Sequence, residues 1–162
     1  MSTPTTPSSA ESIITALERA KICEGLDPAQ IKKLAEAFKL LPVPVGTHFI
    51  KHDAQSKDFY IIVSGIVEVE IPVVGKQANS SLARLKPGDS VGEFVLLREA
   101  RRSATARAVN DVVLVSANSV DVLKLFDEHP SLGYGVCRNL ARILADRLTD
   151  TNMQLRSELS RS

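Results

Sequence analysis

The residues best suited to chemistry lie in one stretch, Val91-Gly92-Glu93-Phe94-Val95-Leu96-Leu97-Arg98-Glu99-Ala100-Arg101-Arg102-Ser103-Ala104-Thr105. Gly92 lets the backbone approach a ligand closely. Residues 93–97 suit one helical turn, whose free N–H groups attract an anion. Arg101 or Arg102 can supply a bidentate, charge-assisted pair to phosphate oxygens. Ser103 adds a hydroxyl donor. Glu93 is an acceptor, and an acid beside a phosphate site makes sense if it faces sugar hydroxyls instead. The stretch therefore reads as a trap for one small phosphorylated ligand. Arg98, Arg101 and Arg107 are expected to be mostly solvated charges.

Chemistry beyond binding has little support. No Ser-His-Asp or Cys-His constellation is readable, so no catalytic residue is assigned and the chain is expected not to be an enzyme. His48 and His52 share one face of a strand-like segment, but the carboxylate and third histidine of a metal enzyme are missing and His129 sits at a helix start, so no metal site is expected. Cys23 and Cys137 are far apart and outside any CxxC pattern, which fits two reduced, partly buried thiols.

The elements that must position the stretch follow from periodicity. Residues 1–12 are rich in Ser, Thr and Pro and read as a disordered tail. Residues 13–39 carry two short helices: Ile13, Ile14, Leu17 and Ala20 share one face, Asp27-Pro28 is an N-cap followed by Pro, and Ile31, Leu34, Ala35 and Phe38 continue the second. From residue 40 to 117 the runs become short and β-branched. Phe59–Val63 is a compact strand, Val67, Val69 and Ile71 alternate with Glu68 and Glu70, Lys86-Pro87-Gly88-Asp89 is a turn, and strands recur at Ser103–Val109 and Asp111–Ser116. This spacing suggests a β-sandwich or β-barrel.

Helical periodicity returns over residues 118–158. A short helix capped by Asn118 or Ser119 precedes a long one from about Leu132 to Glu158, and residues 159–162 form a tail. The long helix has two seams. Val136, Leu140, Ile143 and then Arg147 form one, suited to packing on the barrel. Cys137, Ala141, Leu144, Leu148, Thr151 and Leu155 form the other, with the spacing of a two-stranded coiled coil that would make a homodimer.

Bulk numbers exclude several classes. Lys and Arg total 20 against 19 Asp and Glu, so no global charge draws the chain to nucleic acid or an anionic membrane. Aromatics are 4% with no Trp, which argues against stacking platforms for single strands. No run approaches the ~18 apolar residues of a membrane span. The N-terminus lacks a signal peptide's basic and apolar regions, so the expected location is cytoplasmic.

The central stretch resembles the phosphate-binding cassette of the cyclic-nucleotide-binding domain family, which includes kinase regulatory subunits, catabolite activators and nucleotide-regulated channels. The family motif is roughly F-G-E-φ-x-L-φ, a few residues, then R-[ST/A]-A-[ST]. Gly92, Glu93, Leu96, Arg102, Ser103, Ala104 and Thr105 match it. Val91 stands where Phe is usual, Glu99 where Gly is common, and Arg101 where many members have Pro. Two consecutive arginines also occur in channel members. The resemblance runs from about residue 20 to 155.

It implies a mainly β fold with flanking helices: an eight-stranded, jelly-roll-like β-roll, an N-terminal helical pair and a long C-terminal helix that acts as lid. It places Gly92, Glu93, Phe94, Val95, Arg102, Ser103, Ala104 and Arg147 at the ligand. Glu93 would bind the ribose 2′-hydroxyl, Arg102 the cyclic phosphate, and Ser103 the phosphate or purine. Arg147 would cap the base. The implied function is a sensor of cyclic AMP or cyclic GMP, needing no cofactor, that signals to a protein partner through its last helix. The competing reading keeps the fold but senses a cyclic dinucleotide, since Arg98, Arg101 and Arg102 carry charge for two phosphates, or acts as a ligand-independent interaction or dimerisation protein.

Overall fold

The computed structural model describes residues 8–162. The chain opens with α1 (Ser9–Arg19), a 3-10 turn (Lys21–Cys23) and α2 (Pro28–Ala35). Eight strands follow: β1 (Phe38–Val43), β2 (His48–Ile50), β3 (Asp58–Ser64), β4 (Val67–Ile71), β5 (Ser80–Leu85), β6 (Ser90–Val91), β7 (Thr105–Ala108) and β8 (Val112–Asn118). A 3-10 turn, Glu93–Leu96, separates β6 from β7. Helices α3 (Ser119–Glu128) and α4 (Pro130–Leu159) complete the chain.

Two capping boxes set the first helices. Ser8 Oγ accepts from the Glu11 amide at 3.2 Å while Glu11 accepts from the Ser8 amide at 2.8 Å. Helix α1 therefore starts four residues before the expected Ile13, because Ser-Ser-Ala-Glu is itself a helix-start signal. The part of the expected tail over residues 1–7 lies outside the described residues. Asp27 and Gln30 form the second box, with Pro28 in the first turn. At the other end, α4 begins at Pro130 rather than near Leu132, since Pro at the first helical position costs no hydrogen bond.

The strands form two antiparallel four-stranded sheets, ordered β1-β8-β3-β6 and β2-β7-β4-β5. This is the β-roll with flanking helices that the sequence implied. Between the sheets lie Val43, Ile50, Tyr60, Ile62, Val67, Val91, Ala106, Ala108, Val112 and Leu114. The outer face of the first sheet packs on the helices through Leu17, Ile22, Leu34, Phe59, Ile61, Val115, Phe126, Leu132 and Leu140, among others. Strand β3 shows why Phe59-Tyr60-Ile61-Ile62 is an unbroken apolar run. Its alternate side chains serve the two different cores, so both faces are buried.

Strand β7 is shorter than the expected Ser103–Val109. The chain before it is drawn into a loop-to-loop pairing, in which Arg102 N donates to Ala54 O and Asp53 N donates to Arg102 O, both at 2.8 Å. The root of α4 is anchored differently. Buried Asn139 donates from Nδ2 to Ile22 O at 3.0 Å and to Glu24 O at 2.8 Å, tying the helix to the first 3-10 turn. Asn139→Ala removes both donors and leaves carbonyls without partners. It is expected to lower the unfolding free energy by about 1–3 kcal/mol, read as a fall in urea midpoint at unchanged m-value.

Candidate ligand-binding site

The site is built where β6 ends. Gly92 has φ +77°, a left-handed conformation that turns the chain out of the sheet and into the Glu93–Leu96 turn. A Cβ at Gly92 would stand 2.8 Å from Arg102 Nη1 and 2.9 Å from Ile50 Cδ1, so glycine is required sterically as well as conformationally. The turn borders a cavity of about 460 Å³. Such a volume suits a small organic ligand.

The cavity has three walls. The cassette supplies Gly92, Glu93, Phe94, Val95, Arg98, Ala100, Arg101, Arg102, Ser103 and Ala104; the second sheet supplies Ile50, Val69, Leu82 and Leu85; and α4 supplies Arg147, Asp150, Thr151 and Gln154. All eight residues expected at a ligand therefore meet at one cavity. Ser103 is exposed, and Phe94 is 42% exposed beside the half-buried Val95.

Arg102 is the unusual member, at 6% exposed. Its Nε donates to Ser56 Oγ at 2.8 Å, Nη1 to Gly92 O at 2.9 Å, and Nη2 to Asp58 O. A guanidinium has five N–H donors, so these three bonds leave two. Among the described residues Arg102 makes no ion pair with a carboxylate. Burial pushes its pKa below the ordinary value, opposed by the nearby Tyr60, Asp58 and Glu93. A charge taken out of water without a counter-ion favours an anion beside it.

Glu93 is 2% exposed and accepts on Oε1 from Arg147 Nη1 at 2.5 Å. Arg147 Nη2 also donates to Ser90 O at 3.2 Å. Arg147 thus lies on the barrel-facing side of α4, as its seam predicts, with its guanidinium tied to the cassette acid. The Arg147 side chain is 41% exposed, so water shields the pair from one side.

Thr151 departs from expectation. It was counted into the coiled-coil seam, yet it lines the cavity with Arg147, since residues four apart on a helix share a face. The rest of that seam divides along the helix. Cys137 and Leu144 pack on the core, whereas Leu148 and Leu155 are 62% and 53% exposed, because beyond Leu144 it is the Arg147–Thr151 face of α4 that turns toward the domain. Burial pushes the Cys23 thiol up to about 12 and raises that of Cys137 as well.

Arg107 is less solvated than expected, whereas Arg101 is exposed as expected. Arg107 bonds Glu70 at 3.0 Å and lies 3.8 Å from Glu68, which also pairs with Arg84 at 3.1 Å, forming a charged ladder across β7, β4 and β5. Arg101 donates to Asp53 O at 3.0 Å. The sequence reading missed Ser56 and Asp58, which hold Arg102 from 46 and 44 residues away, and their types carry no signal by themselves. Asp150, Thr151 and Gln154 were findable, as one to two turns beyond Arg147 on its own face.

A family model described as the cyclic nucleotide-binding domain matches residues 40–129. The Cyclic AMP receptor protein of Thermus thermophilus is 31% identical over 139 residues, covering 86% of this chain and 62% of the receptor. The Pycsar effector protein XpPycTIR of Xanthomonas perforans is 31% identical over 117 residues, covering 72% of this chain and 37% of the effector. The crystal structure of the Thermus thermophilus catabolite activator protein superposes with a TM-score of 0.73 at 31% identity, over 85% of this chain and 62% of that one. The chain thus spans less than two thirds of either relative's length.

Gly92→Ala tests the cassette geometry. The left-handed backbone and the two close approaches are expected to cost about 1–3 kcal/mol and shift the unfolding midpoint accordingly, whereas Gly46→Ala, with nothing near its Cβ, bears the backbone strain alone and loses less.

Proposed function

The chain belongs to the cyclic nucleotide-binding domain family, and from that premise we propose that it is a sensor which binds a cyclic mononucleotide and reports it through α4. One observation carries this: the buried Arg102, with two N–H donors to spare and no carboxylate paired to it, in the wall of a ligand-sized cavity. A cyclic phosphate supplies one negative charge and two exocyclic oxygens for those donors. Ser103 adds a hydroxyl from the exposed lip of the same loop. Glu93 gives one carboxylate oxygen to Arg147 and keeps Oε2 for a ribose hydroxyl. The apolar wall of Val69, Leu82 and Leu85 suits the face of a base, closed from the other side by Thr151 and Gln154.

Arg147 then has a positioning role. It fixes Glu93 and couples the occupied cassette to α4, which is how binding becomes movement of the helix. A ligand moves α4 only if it binds one helix position better than the other. The name of the Thermus thermophilus relative supports cyclic AMP as the first ligand to test. The cavity supports binding over turnover: no His, Cys or Lys lines it, and its buried acid is held by Arg147.

Calorimetric titration of cyclic AMP and cyclic GMP, with cyclic dinucleotides as further arms, tests the ligand. Arg102→Lys and Glu93→Gln are each expected to weaken mononucleotide binding at least about tenfold, with the fold checked by thermal unfolding. Wild-type titration by folded Arg102→Lys would remove the assignment. Preference for a dinucleotide would favour the two-phosphate alternative.

The exposed end of α4 supports a homodimer. Leu148, Asn152, Leu155 and Leu159 follow a 4-3-4 spacing, all exposed, on the face adjoining Thr151 and turned away from Arg147. Leucines flanking one asparagine are what a parallel two-stranded coiled coil uses to fix its register. Light scattering is expected to give twice 17.6 kDa, and Leu155→Glu to return the mass to that of one chain. A monomeric wild type would leave α4 for another partner.

A further inference from the structure

A second cavity lies on the other side of the cassette. It measures about 470 Å³ and is walled by Ser56 and Lys57 before β3, by Val95, Arg98 and Arg101 in the cassette, and by Val120 and Leu123 on α3. Its floor is apolar but wet: Val120 is 54% exposed and Leu123 39%, with Leu97 at 51% closing the same cassette turn. Its rim is basic. Glu99 is the acid in the lining, and its contact with Lys57 is long at 3.9 Å. Asp53 lies 3.8 Å from Arg101, and both pairs are more than half exposed and therefore weak. Arg98 forms no ion pair among the described residues. The formal charge of the whole chain is only +1, so this excess is local.

We propose that this outer groove docks an acidic segment of a partner protein, anchored by an apolar side chain seated against Val120 and Leu123 between Lys57, Arg98 and Arg101. A free anion would satisfy the rim and leave the apolar floor in water. A bilayer is flat, and the site is a concavity that one projecting side chain fills. An acidic, apolar-anchored segment meets both halves, since its charges complement the basic rim and its anchor covers Val120 and Leu123. The groove also shares Val95, Arg98, Ala100 and Arg101 with the inner cavity, and Ser56 on its wall accepts from Arg102. Docking and ligand binding are thereby placed on two sides of one loop. That coupling rests on the sensor reading above; docking itself does not.

The test uses the full chain without nucleotide, so that its outcome is independent of what the inner cavity binds. The probe is a fluorescent synthetic helix of roughly 15 residues, leucines on one face and glutamates beside them. A lysine-for-glutamate counterpart and phosphatidylserine-containing vesicles serve as controls. Anisotropy is expected to show binding of the acidic helix, weakened by added salt, and little binding of the basic one. Lys57→Glu and Val120→Glu lie outside the inner cavity. Each is expected to weaken acidic-helix binding at least about tenfold while keeping the wild-type unfolding temperature. Equal binding of both helices, binding untouched by both variants, no binding, or loss confined to vesicle binding would each overturn the proposal.

Discussion

A buried guanidinium governs this molecule. Arg102 sits at 6% exposure, where an uncompensated charge is costly, and its neighbours are arranged to meet that cost. Gly92 bends left-handed, with its carbonyl on Nη1 and no Cβ to displace the guanidinium. The loop before β3 contributes Ser56 Oγ, the first residue of β3 contributes Asp58 O, and the loop pairs its own backbone with that of Arg102 through Asp53 and Ala54. Three separate segments are thus held in register by one side chain. The arrangement neutralises Arg102 with dipoles rather than with a carboxylate, and dipoles leave net charge for something else to balance.

The second arrangement depends on the first. Glu93 follows Gly92 directly, so the turn that seats Arg102 also fixes where the acid points. Arg147 reaches that acid from α4, and its other contact is a single carbonyl, Ser90 O. Beneath the helix the Ser90 hydroxyl is buried without a partner among the described residues. An unmet buried hydroxyl costs on the order of 1–3 kcal/mol. The helix is therefore held over the cassette by the contacts of one half-exposed arginine, while its root is pinned by two bonds from buried Asn139 and by the apolar core. Strong attachment at the root and weak attachment over the cavity is the distribution a moving lid needs.

Much of this was legible in the residues. The switch from helical to alternating periodicity near residue 40 and back near residue 118 marked the β-roll and its flanks. Gly92, Glu93, Arg102 and Ser103 announced their cavity by type and spacing. The failures have physical causes. The start of α1 was missed because Ser8 and Glu11 sit in a Ser/Thr/Pro-rich stretch where composition outweighed the capping signal. Thr151 was counted into the wrong face because the 3.5-residue seam and the 3.6-residue helix drift apart over five turns. Ser56 and Asp58 gave no sign, since a residue that serves by its carbonyl or by one hydroxyl is chosen by chain position. The tie between Arg147 and Glu93 needed the distance between two elements, which periodicity along one element cannot supply.

The length of α4 bears on how far a small event at the cavity can travel. Beyond Leu144, which packs on the apolar core, α4 borders the cavity as far as Gln154 and continues to Leu159. At 1.5 Å per residue that is an arm of roughly 22 Å. Pivoting at Leu144, a tilt of about 10° would sweep the tip through roughly 4 Å, about three quarters of the helical pitch. A tilt of that size would turn a sub-ångström shift at Arg147 into a displacement of several ångströms at Leu159.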